Sequence, residues 1–299
     1  MDISVIIINF HSSKFTIDCI KSIYTHTDSL EFEIIVVDNN SSSTDLETLE
    51  KYIAKKDIKL IKSKINLGFG GGNQLGYQFA QGKYLAFVNN DTKLIENSLF
   101  KLFNYIKSNT EIGVLGLNQI DEDKKSFKYN YRQFINLKYH LIGHKKPITY
   151  YSKKYGPEAI KSPFEVDIVS GAFMFFDTKK YEECGGFDSN IFLFYEEMDI
   201  CSRLSKLGYK TVFYPDSTFI HYQGKSSENI AINKEFVISY LYVIQKNYSY
   251  IYYLSLKAIL FIKYSIKTIV KPKKYLPLVS VVVKGGNSLI YSLKLSSRS

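Results

Sequence analysis

The N-terminal third of the chain alternates between short apolar runs and segments of helical character. The apolar runs lie at residues 3–8, 34–37, 58–61 and 84–88 and are rich in Ile and Val. Apart from Ser4 and Lys59 these runs are continuously apolar, which is typical of strands buried on both faces of a parallel sheet. Because helical segments separate them, the order β-α-β-α-β-α-β predicts an α/β fold with a mixed, mainly parallel sheet flanked by helices.

The second half of the chain has weaker periodicity. Residues 121–163 are polar and aromatic, and strand character returns at residues 166–176, where Ser170 and Gly171 interrupt it. A helix is predicted at residues 196–207 and a strand at residues 211–214.

The charge of the chain is unevenly distributed. Lys and Arg number 39 and Asp and Glu 29, which gives a net charge of +10. No acidic residue follows Glu235, and residues 236–299 carry the whole excess of positive charge. This asymmetry predicts two units, a balanced globular domain at residues 1–235 and a basic, Tyr-rich helical tail at residues 236–299.

The cysteines and the N-terminus indicate the cellular compartment in which the protein is found. The three cysteines are widely spaced, which argues against a disulfide framework or a Cys-rich zinc site. Asp2 stands where a signal peptide carries positive charge, and the apolar run after it is too short for such a peptide. A cytoplasmic protein is therefore expected.

Two of the predicted strands end in an Asp followed by small polar residues. Asp38 follows the second strand and Asp91 the fourth. In open α/β sheets, ligands bind at the carboxyl ends of the strands, where a carboxylate can accept a hydrogen bond from a nucleotide base or bind a hard cation. Either Asp taken alone also fits a helix N-cap or a turn.

Three further segments have the composition of a site. A glycine-rich segment at residues 66–73 allows the backbone to approach a phosphate or sugar, although it does not match GxGxxG. Residues 192–203 place Glu196, Glu197 and Asp199 beside aromatic residues, a setting for a general base and equally for the solvated start of a helix. His221 precedes Gly224 and Lys225, which suits a metal or a diphosphate, and a structural His is the alternative.

Eight motifs in order resemble the inverting family 2 glycosyltransferases with a GT-A fold, especially their bacterial rhamnosyltransferase-like branch. The motifs span roughly residues 3–227 and read SVIIINF (4–10), VVDNNSS (36–42), NLGFG (66–70), FVNNDT (87–92), VSGA (169–172), GGFD (185–188), YEEMDICSR (195–203) and HYQGKSS (221–227).

The resemblance implies a role for each matching residue. Asp38 would recognise the base of a nucleotide-sugar donor, and Asp91 and His221 would hold Mg²⁺ or Mn²⁺ against its diphosphate. Glu197 would be the catalytic base, with Glu196 as the alternative. The resemblance also assigns these residues to the donor pocket: Asn40, Gly68, Gly70, Asn73, Asn90 and Arg203. The chain departs from the family pattern at Asn89, where a second carboxylate is usual, and at Glu197, where Asp is usual.

The resemblance implies transfer of a sugar, with inversion, to a lipid-linked or growing cell-surface glycan, as in O-antigen assembly. dTDP-rhamnose is the leading donor, with UDP- or GDP-sugars as alternatives. The acceptor site is expected near Ser170, Gly171 and residues 188–197. A nucleotidyltransferase is a poorer fit, since residues 9–13 are not a basic glycine-rich loop. A non-catalytic sugar-nucleotide-binding scaffold protein is the alternative outside the enzymes.

The basic tail predicts a long helix from about residue 235. On such a helix five lysines fall within an arc of roughly 120°. They are Lys246, Lys257, Lys263, Lys267 and Lys271. Aromatic and aliphatic residues occupy much of the remaining surface of the helix. This pattern predicts contact with an anionic membrane surface at the inner face of the plasma membrane. A helix packed on the body is the alternative. Nucleic acid is not an expected partner, because the body adds no basic patch.

Overall fold

A sheet of nine strands forms the centre of the molecule. The computed structural model describes residues 1–142, 146–222 and 230–296. The strands are β1 (Ile3–Asn9), β2 (Phe32–Asp38), β3 (Ile58–Lys62), β4 (Tyr84–Asn89), β5 (Thr92–Leu94), β6 (Ile112–Ile120), β7 (Tyr131–Arg132), β8 (Phe164–Val166), β9 (Ile168–Val169), β10 (Phe173–Asp177) and β11 (Lys210–His221). Strands β7 and β9 pair separately from the central sheet.

The strand order confirms the predicted mixed, mainly parallel sheet. It runs β3-β2-β1-β4-β10-β6-β11-β5, with β8 paired to β11. Strands β3, β2, β1 and β4 are parallel to one another, β10 is antiparallel to both of its neighbours, and β11 is parallel to β6. Strand β11 continues past Pro215 to His221, beyond the predicted end, and its register shifts between Tyr214 and Thr218.

Helices cover both faces of the sheet. They are α1 (Ser13–His26), α2 (Ser43–Ile53), α3 (Gly68–Tyr77), α4 (Ser98–Ser108), α5 (Leu137–Ile142), α6 (Pro147–Tyr155), α7 (Thr178–Glu183), α8 (Glu196–Lys206), α9 (Ile230–Asn247), α10 (Tyr250–Val270), α11 (Pro272–Lys284) and α12 (Leu293–Ser296). Alternate residues of β1 enter different cores, with Val5 and Ile7 on one face and Ile6 on the other. Burial on both faces explains why the run from Val5 to Ile8 is continuously apolar.

The basic tail forms three main helices where one long helix was expected. The Ser249 side chain caps α10 by accepting from the Tyr252 amide, and Pro272 occupies the first turn of α11. These residues interrupt the helix because a capping side chain and a proline both favour a new helical start. Because of these breaks, Lys246 lies on a different helix from the later lysines, and the five lysines no longer form one arc.

Helix α9 packs into the core beneath the sheet. Its side chains belong to the same buried cluster as Phe87 and Phe176 of the central strands. The buried residues of α9 include Val237, Ile238, Tyr240, Leu241, Val243 and Ile244. None of the described helices combines the length and the apolar character that a transmembrane span requires.

Candidate active site

The carboxyl ends of β1, β2 and β4 meet at one edge of the sheet, beside a cavity of about 740 Å³. Two residues that line this cavity, Asn90 and Asp91, directly follow β4. The cavity is within the size range of sites for nucleotide-sized ligands. Its other lining residues include Phe10, Phe15, Asn39, Asn66, Gly68, Asn73, Phe192, Tyr222 and Leu293.

Asp38 lies at the end of β2 with its carboxylate held in place. One oxygen accepts from Asn9 Nδ2 at 3.0 Å and the other from the Ser41 amide at 3.1 Å. Only 2% of Asp38 is exposed, and the adjacent Asn39 forms part of the cavity wall. Asn40 is exposed and has a left-handed backbone, with φ of 67°.

Asn39 organises the glycine-rich segment, a role that sequence reasoning missed although the residue lay within a quoted motif. Its Nδ2 donates to Asn66 Oδ1 at 2.9 Å and to the Gly68 carbonyl at 3.1 Å. Its Oδ1 accepts from the Leu67 amide at 2.9 Å. The side chain therefore fixes the loop that leads into α3.

The glycine-rich segment is the first part of helix α3 and packs tightly against residues 188–192. Gly68 has φ of +73°, and a Cβ there would lie 2.0 Å from the Phe192 carbonyl oxygen. Gly70 packs against the Asp188 and Ile191 carbonyls. Asn73 is 2% exposed and lines the cavity, and its Nδ2 has no hydrogen-bond partner among the described residues. An orphaned amide donor in the wall of a cavity is suited to a ligand.

Asp91 and His221, which are separated by 130 residues in sequence, lie side by side in the fold. His221 Nε2 is 3.1 Å from Asp91 Oδ1, and His221 Nδ1 is 3.1 Å from Gln119 Oε1. When Nδ1–H donates to Gln119, Nε2 presents its lone pair to the carboxylate, an arrangement that a cation or a proton between them stabilises. The remainder of the His221 motif, residues 223–227, lies outside the described residues.

The Asp91 and His221 pair fits a divalent cation that also binds the substrate. A carboxylate and an imidazole are both ligands for Mn²⁺, and Mg²⁺ sites commonly use one or two carboxylates and complete the shell with phosphates and water. Within the described part of the chain, no group of three His, Cys, Asp or Glu residues is placed to hold a metal. The pair could supply at most part of a coordination shell, which phosphates and water would complete.

Asn90 faces the side of the site formed by α1. Its Nδ2 donates to Ser12 Oγ at 2.5 Å and to Thr16 Oγ1 at 3.0 Å. Thr16 in turn donates to Asn9 Oδ1 at 2.7 Å. This chain of hydrogen bonds connects Asn90 to Asn9, the residue that orients Asp38.

A second cavity, of about 230 Å³, adjoins the first and contains both candidate bases. Asn89, Gln119 and His221 also line it, so the two cavities meet near the Asp91 and His221 pair. Ser170 and Gly171, which were expected near the acceptor site, line the second cavity together with Glu197; that this cavity binds the acceptor stays a prediction.

Glu196 and Glu197 have opposite environments. Glu197 forms an ion pair with Arg132, and its side chain is 17% exposed. Glu196 is 4% exposed, and its Oε1 has no partner among the described residues. Burial, followed by the charge of Glu197, raises the pKa of Glu196 well above its usual value. Glu197 is therefore the carboxylate that combines access to the cavity with a charged partner.

Arg132, which lines the smaller cavity and pairs with Glu197, is a residue of the candidate site that sequence reasoning missed. It lies on β7, within the polar and aromatic stretch that showed weak periodicity. Pairing of β7 with β9 places it beside the segment that continues into Ser170 and Gly171. No local pattern singles it out, because its position depends on pairing across some 36 residues of chain.

Arg203, a predicted donor-binding residue, lines neither of the two cavities. Its guanidinium binds Asp199 Oδ2 at 2.9 and 2.7 Å and donates to the Gly186 carbonyl at 2.6 Å. Lys246 of α9 also lies 3.0 Å from Asp199, which is buried. Asp188, expected near the acceptor, binds Lys246 at 2.7 Å. These charges join α8 to α9.

The basic tail contributes to both cavities. Leu293 lines the larger cavity and Phe236 the smaller one. Glu235 is buried, and its two carboxylate oxygens accept from the Ser292 hydroxyl and the Leu293 amide, each at 2.8 Å. The tail thus forms part of the walls of the site.

Comparison with known proteins gives a consistent set of relatives. Residues 4–185 match the model of Glycosyl transferase family 2. The chain is 28% identical over 205 residues to Rhamnosyltransferase WbbL of Escherichia coli K12, which covers 66% of this chain and 75% of that protein. It is 25% identical over 206 residues to the low-salt glycan biosynthesis hexosyltransferase Agl10 of Haloferax volcanii, which covers 68% and 61% respectively.

Other relatives are longer than this chain. A match to a poly(ribitol-phosphate) beta-glucosyltransferase of Bacillus spizizenii, 30% identical over 135 residues, covers 43% of this chain and 21% of that protein.

Among solved structures, the mannosyltransferase PcManGT of Pyrobaculum calidifontis, in complex with GDP-Man and Mn²⁺, superimposes with a TM-score of 0.58 at 12% identity. This match covers 98% of the chain and 85% of that structure, and it confirms the expected GT-A fold.

Proposed function

Because this chain belongs to glycosyl transferase family 2, we propose that it transfers a hexose, with inversion, from a nucleotide-sugar donor to a lipid-linked or growing cell-surface glycan. The chain is a glycosyltransferase of the hexosyltransferase class. The observation that carries the proposal is the Asp91 and His221 pair, at 3.1 Å, where the two cavities meet. The larger cavity is the donor site in this proposal and the smaller one the acceptor site.

Donor binding is assigned to the residues at the carboxyl ends of β2 and β4. Asp38, with Asn40 beside it, is the proposed partner of the nucleotide base; neither lines the larger cavity, but Asn39 between them does. The Asp38 carboxylate is oriented by Asn9 and Ser41. Asn73 offers an unpaired amide N–H to the donor, and the glycines before it allow close approach of the backbone. Asn90 completes this wall. Arg203 is better explained as the residue that positions α8 against α9.

Asp91 and His221 would hold Mg²⁺ or Mn²⁺, which would offset the charge that develops on the leaving nucleoside diphosphate. Gln119 orients the imidazole through Nδ1 and leaves Nε2 directed at Asp91. Two relatives in the solved structures, GalNAc-T7 and PcManGT, were determined with Mn²⁺, which supports this assignment.

Glu197 is the proposed general base. It would remove the proton from an acceptor hydroxyl bound in the smaller cavity while the oxygen attacks the anomeric carbon from the face opposite the leaving group. A single displacement of this kind inverts the configuration. Glu196 is the alternative base, but its raised pKa and lack of exposure favour the protonated form at neutral pH.

dTDP-rhamnose is the proposed donor, with the similarity to the rhamnosyltransferase as support. UDP- and GDP-sugars are the alternatives, since the two structural relatives were determined with UDP and with GDP-Man. O-antigen or capsule assembly is the proposed context. A screen of nucleotide sugars against membrane lipid extract, with Mg²⁺ or Mn²⁺, tests this function. No transfer from any donor would contradict it and favour a sugar-nucleotide-binding scaffold.

Two variants separate the proposed roles within that screen. Asp91→Ala should abolish transfer, and undiminished activity would refute the metal-binding role. Glu197→Gln should retain donor binding in calorimetry and lose turnover, because the amide cannot accept the proton. Loss of donor binding in Glu197→Gln would instead assign the residue a structural role.

The tail is also proposed to attach the protein peripherally to the inner face of the plasma membrane. The junction of α10 and α11 exposes large apolar side chains together with lysines and without acidic residues. The apolar residues are 58–82% exposed: Ile262, Ile266, Ile269, Val270 and Leu276. The exposed lysines beside them are Lys263, Lys267, Lys271 and Lys273. Apolar side chains among cations are suited to an anionic lipid surface.

Point substitutions test this attachment without removing α9 from the core. Ile266→Glu and Ile269→Glu should each reduce flotation with vesicles that contain an anionic lipid. Ile148→Glu, at a site of comparable exposure (56%) on α6, provides the matched control and should float like the unmodified protein. Equal flotation of all three variants would contradict the assignment of the membrane surface to this junction.

A further inference from the structure

The smaller cavity has an aromatic wall that the proposed chemistry does not explain. Phe194, Tyr195 and Phe236 line it on the side of α9. The Phe236 ring lies 5.4 Å from that of Phe194 and 4.8 Å from that of Tyr195, measured between centroids. Tyr195 stacks in turn on Tyr240 at 4.9 Å. The rings form a continuous group anchored in the core and open to the cavity.

The backbone that presents these rings is strained. Phe194 and Tyr195 have φ of 72° and 68°, in the left-handed region that residues with a side chain rarely adopt. Such a conformation persists when the surroundings hold it in place, often at functional sites. Glu196 and Glu197 follow directly in the chain, so the backbone that presents the aromatic rings leads straight into the candidate base.

Phe236 differs from its neighbours because much of its ring remains open. It is 46% exposed, whereas Tyr195 is 8% exposed and buried against the core. Polar side chains also line this cavity, among them Ser170, Gln119 and Arg132. The lining thus combines an aromatic group with side chains that can hydrogen-bond, which is the usual composition of a small-molecule site.

We propose that Phe236, supported by Phe194, is the platform on which the acceptor sugar ring stacks. This inference rests on the proposed function, because it takes the smaller cavity as the acceptor site. A pyranose has an apolar C–H face, which packs on an aromatic ring, and a rim of hydroxyl groups, which need polar partners. Stacking on Phe236 would direct that rim towards Glu197 and the polar side chains of the cavity. The cavity of about 230 Å³ suits a single sugar ring.

The absence of tryptophan from the chain gives a direct binding test. Phe236→Trp keeps a stacking ring and introduces a single tryptophan at the platform. Titration with methyl pyranosides of rhamnose, glucose, galactose and N-acetylglucosamine should change its fluorescence saturably for at least one sugar. Phe261→Trp is the matched control, since Phe261 is 44% exposed on α10 and lines neither cavity. Its fluorescence should not respond.

Transfer assays add a second readout. Phe236→Leu and Phe236→Ala should raise the apparent KM for acceptor in membrane lipid extract by about tenfold, because they remove the stacking ring. Phe236→Trp should retain transfer. An unchanged KM in Phe236→Leu would refute stacking and indicate that any apolar side chain suffices, as for contact with a lipid chain.

The two experiments separate this inference from the proposed function. Saturable fluorescence in Phe236→Trp without transfer from any nucleotide sugar would support the platform and contradict the transferase proposal. Transfer by the unmodified protein without a fluorescence response to any of the four sugars, and without an effect of Phe236→Ala on KM, would overturn the platform alone.

Discussion

Replacing Leu241 by Ala tests whether α9 belongs to the folding unit of the sheet. Leu241 lies within the basic tail, yet it is fully buried in the cluster that contains Phe87 and Phe176. The substitution removes three carbon atoms, worth about 2.4 kcal/mol at about 0.8 kcal/mol each. The cavity left behind raises the expected loss to about 3 kcal/mol, within the usual range of about 2–5 kcal/mol.

That loss corresponds to a measurable shift in Tm. At about 2.1 cal/mol/K per residue, a chain of 299 residues unfolds with an entropy of roughly 0.6 kcal/mol/K, so Tm should fall by about 5 °C. Calorimetry together with circular dichroism measures it. Leu276→Ala, at a position that is 60% exposed on α11, is the control and should change the free energy of unfolding by less than about 0.5 kcal/mol.

The form of the transition decides between one unit and two. If α9 shares the core of the sheet, Leu241→Ala lowers the Tm of a single transition, in which the helical and aromatic signals are lost together. A separate early transition, in which part of the helical signal is lost before the rest of the protein unfolds, would refute this reasoning. It would support the division of the chain at residue 235.

Three further predictions concern the site and its supports. Burial raises the pKa of Glu196 above its unfolded value of 4.5, so its favourable contribution to stability is complete below that value and is lost as the pH rises. Urea unfolding should therefore show that Glu196→Gln gains stability over the unmodified protein between pH 5 and pH 8, and parallel pH profiles would contradict this. Asp199→Ala should lower the free energy of unfolding by about 3–5 kcal/mol in the same assay, because Arg203 and Lys246 lose a buried partner. An equal loss of stability in Lys246→Met would contradict a central role for Asp199. Gly68→Ala should lower donor affinity and stability by more than Gly208→Ala, because both glycines have positive φ but only at Gly68 does a Cβ collide with another residue; calorimetry and urea unfolding compare them.

The strands of the N-terminal half could be predicted because their burial on both faces leaves a direct trace in the sequence. A strand such as β1 contributes Ile6 to one core and Ile7 to the other, so the positions from Val5 to Ile8 are all apolar. The positions of Asp38 and Asp91 follow from the same pattern, since the carboxyl ends of parallel strands meet at one edge. Local periodicity was sufficient for these features.

The contacts that complete the site depend on pairing between distant strands and on helix packing. His221 reaches Asp91 only because β11 pairs with both β5 and β6, and β11 continues beyond Pro215 through an irregular register. Arg132 reaches Glu197 through a two-residue strand, which is too short to have a recognisable period. Neither contact could be predicted from local sequence.

Helix α10 connects the proposed membrane surface with the acceptor side of the site. Tyr264 of α10 packs against the core that contains Tyr195 and Tyr240. Ile262 and Ile266, two residues to either side of Tyr264, are 58% and 61% exposed. An α-helix with its side chains is about 10–12 Å across, so a membrane bound to these isoleucines would lie about one helix diameter from the core that Tyr264 contacts. Tyr195 of the aromatic wall belongs to that core. This proximity favours an acceptor whose sugar is carried by a membrane lipid over one that is free in solution.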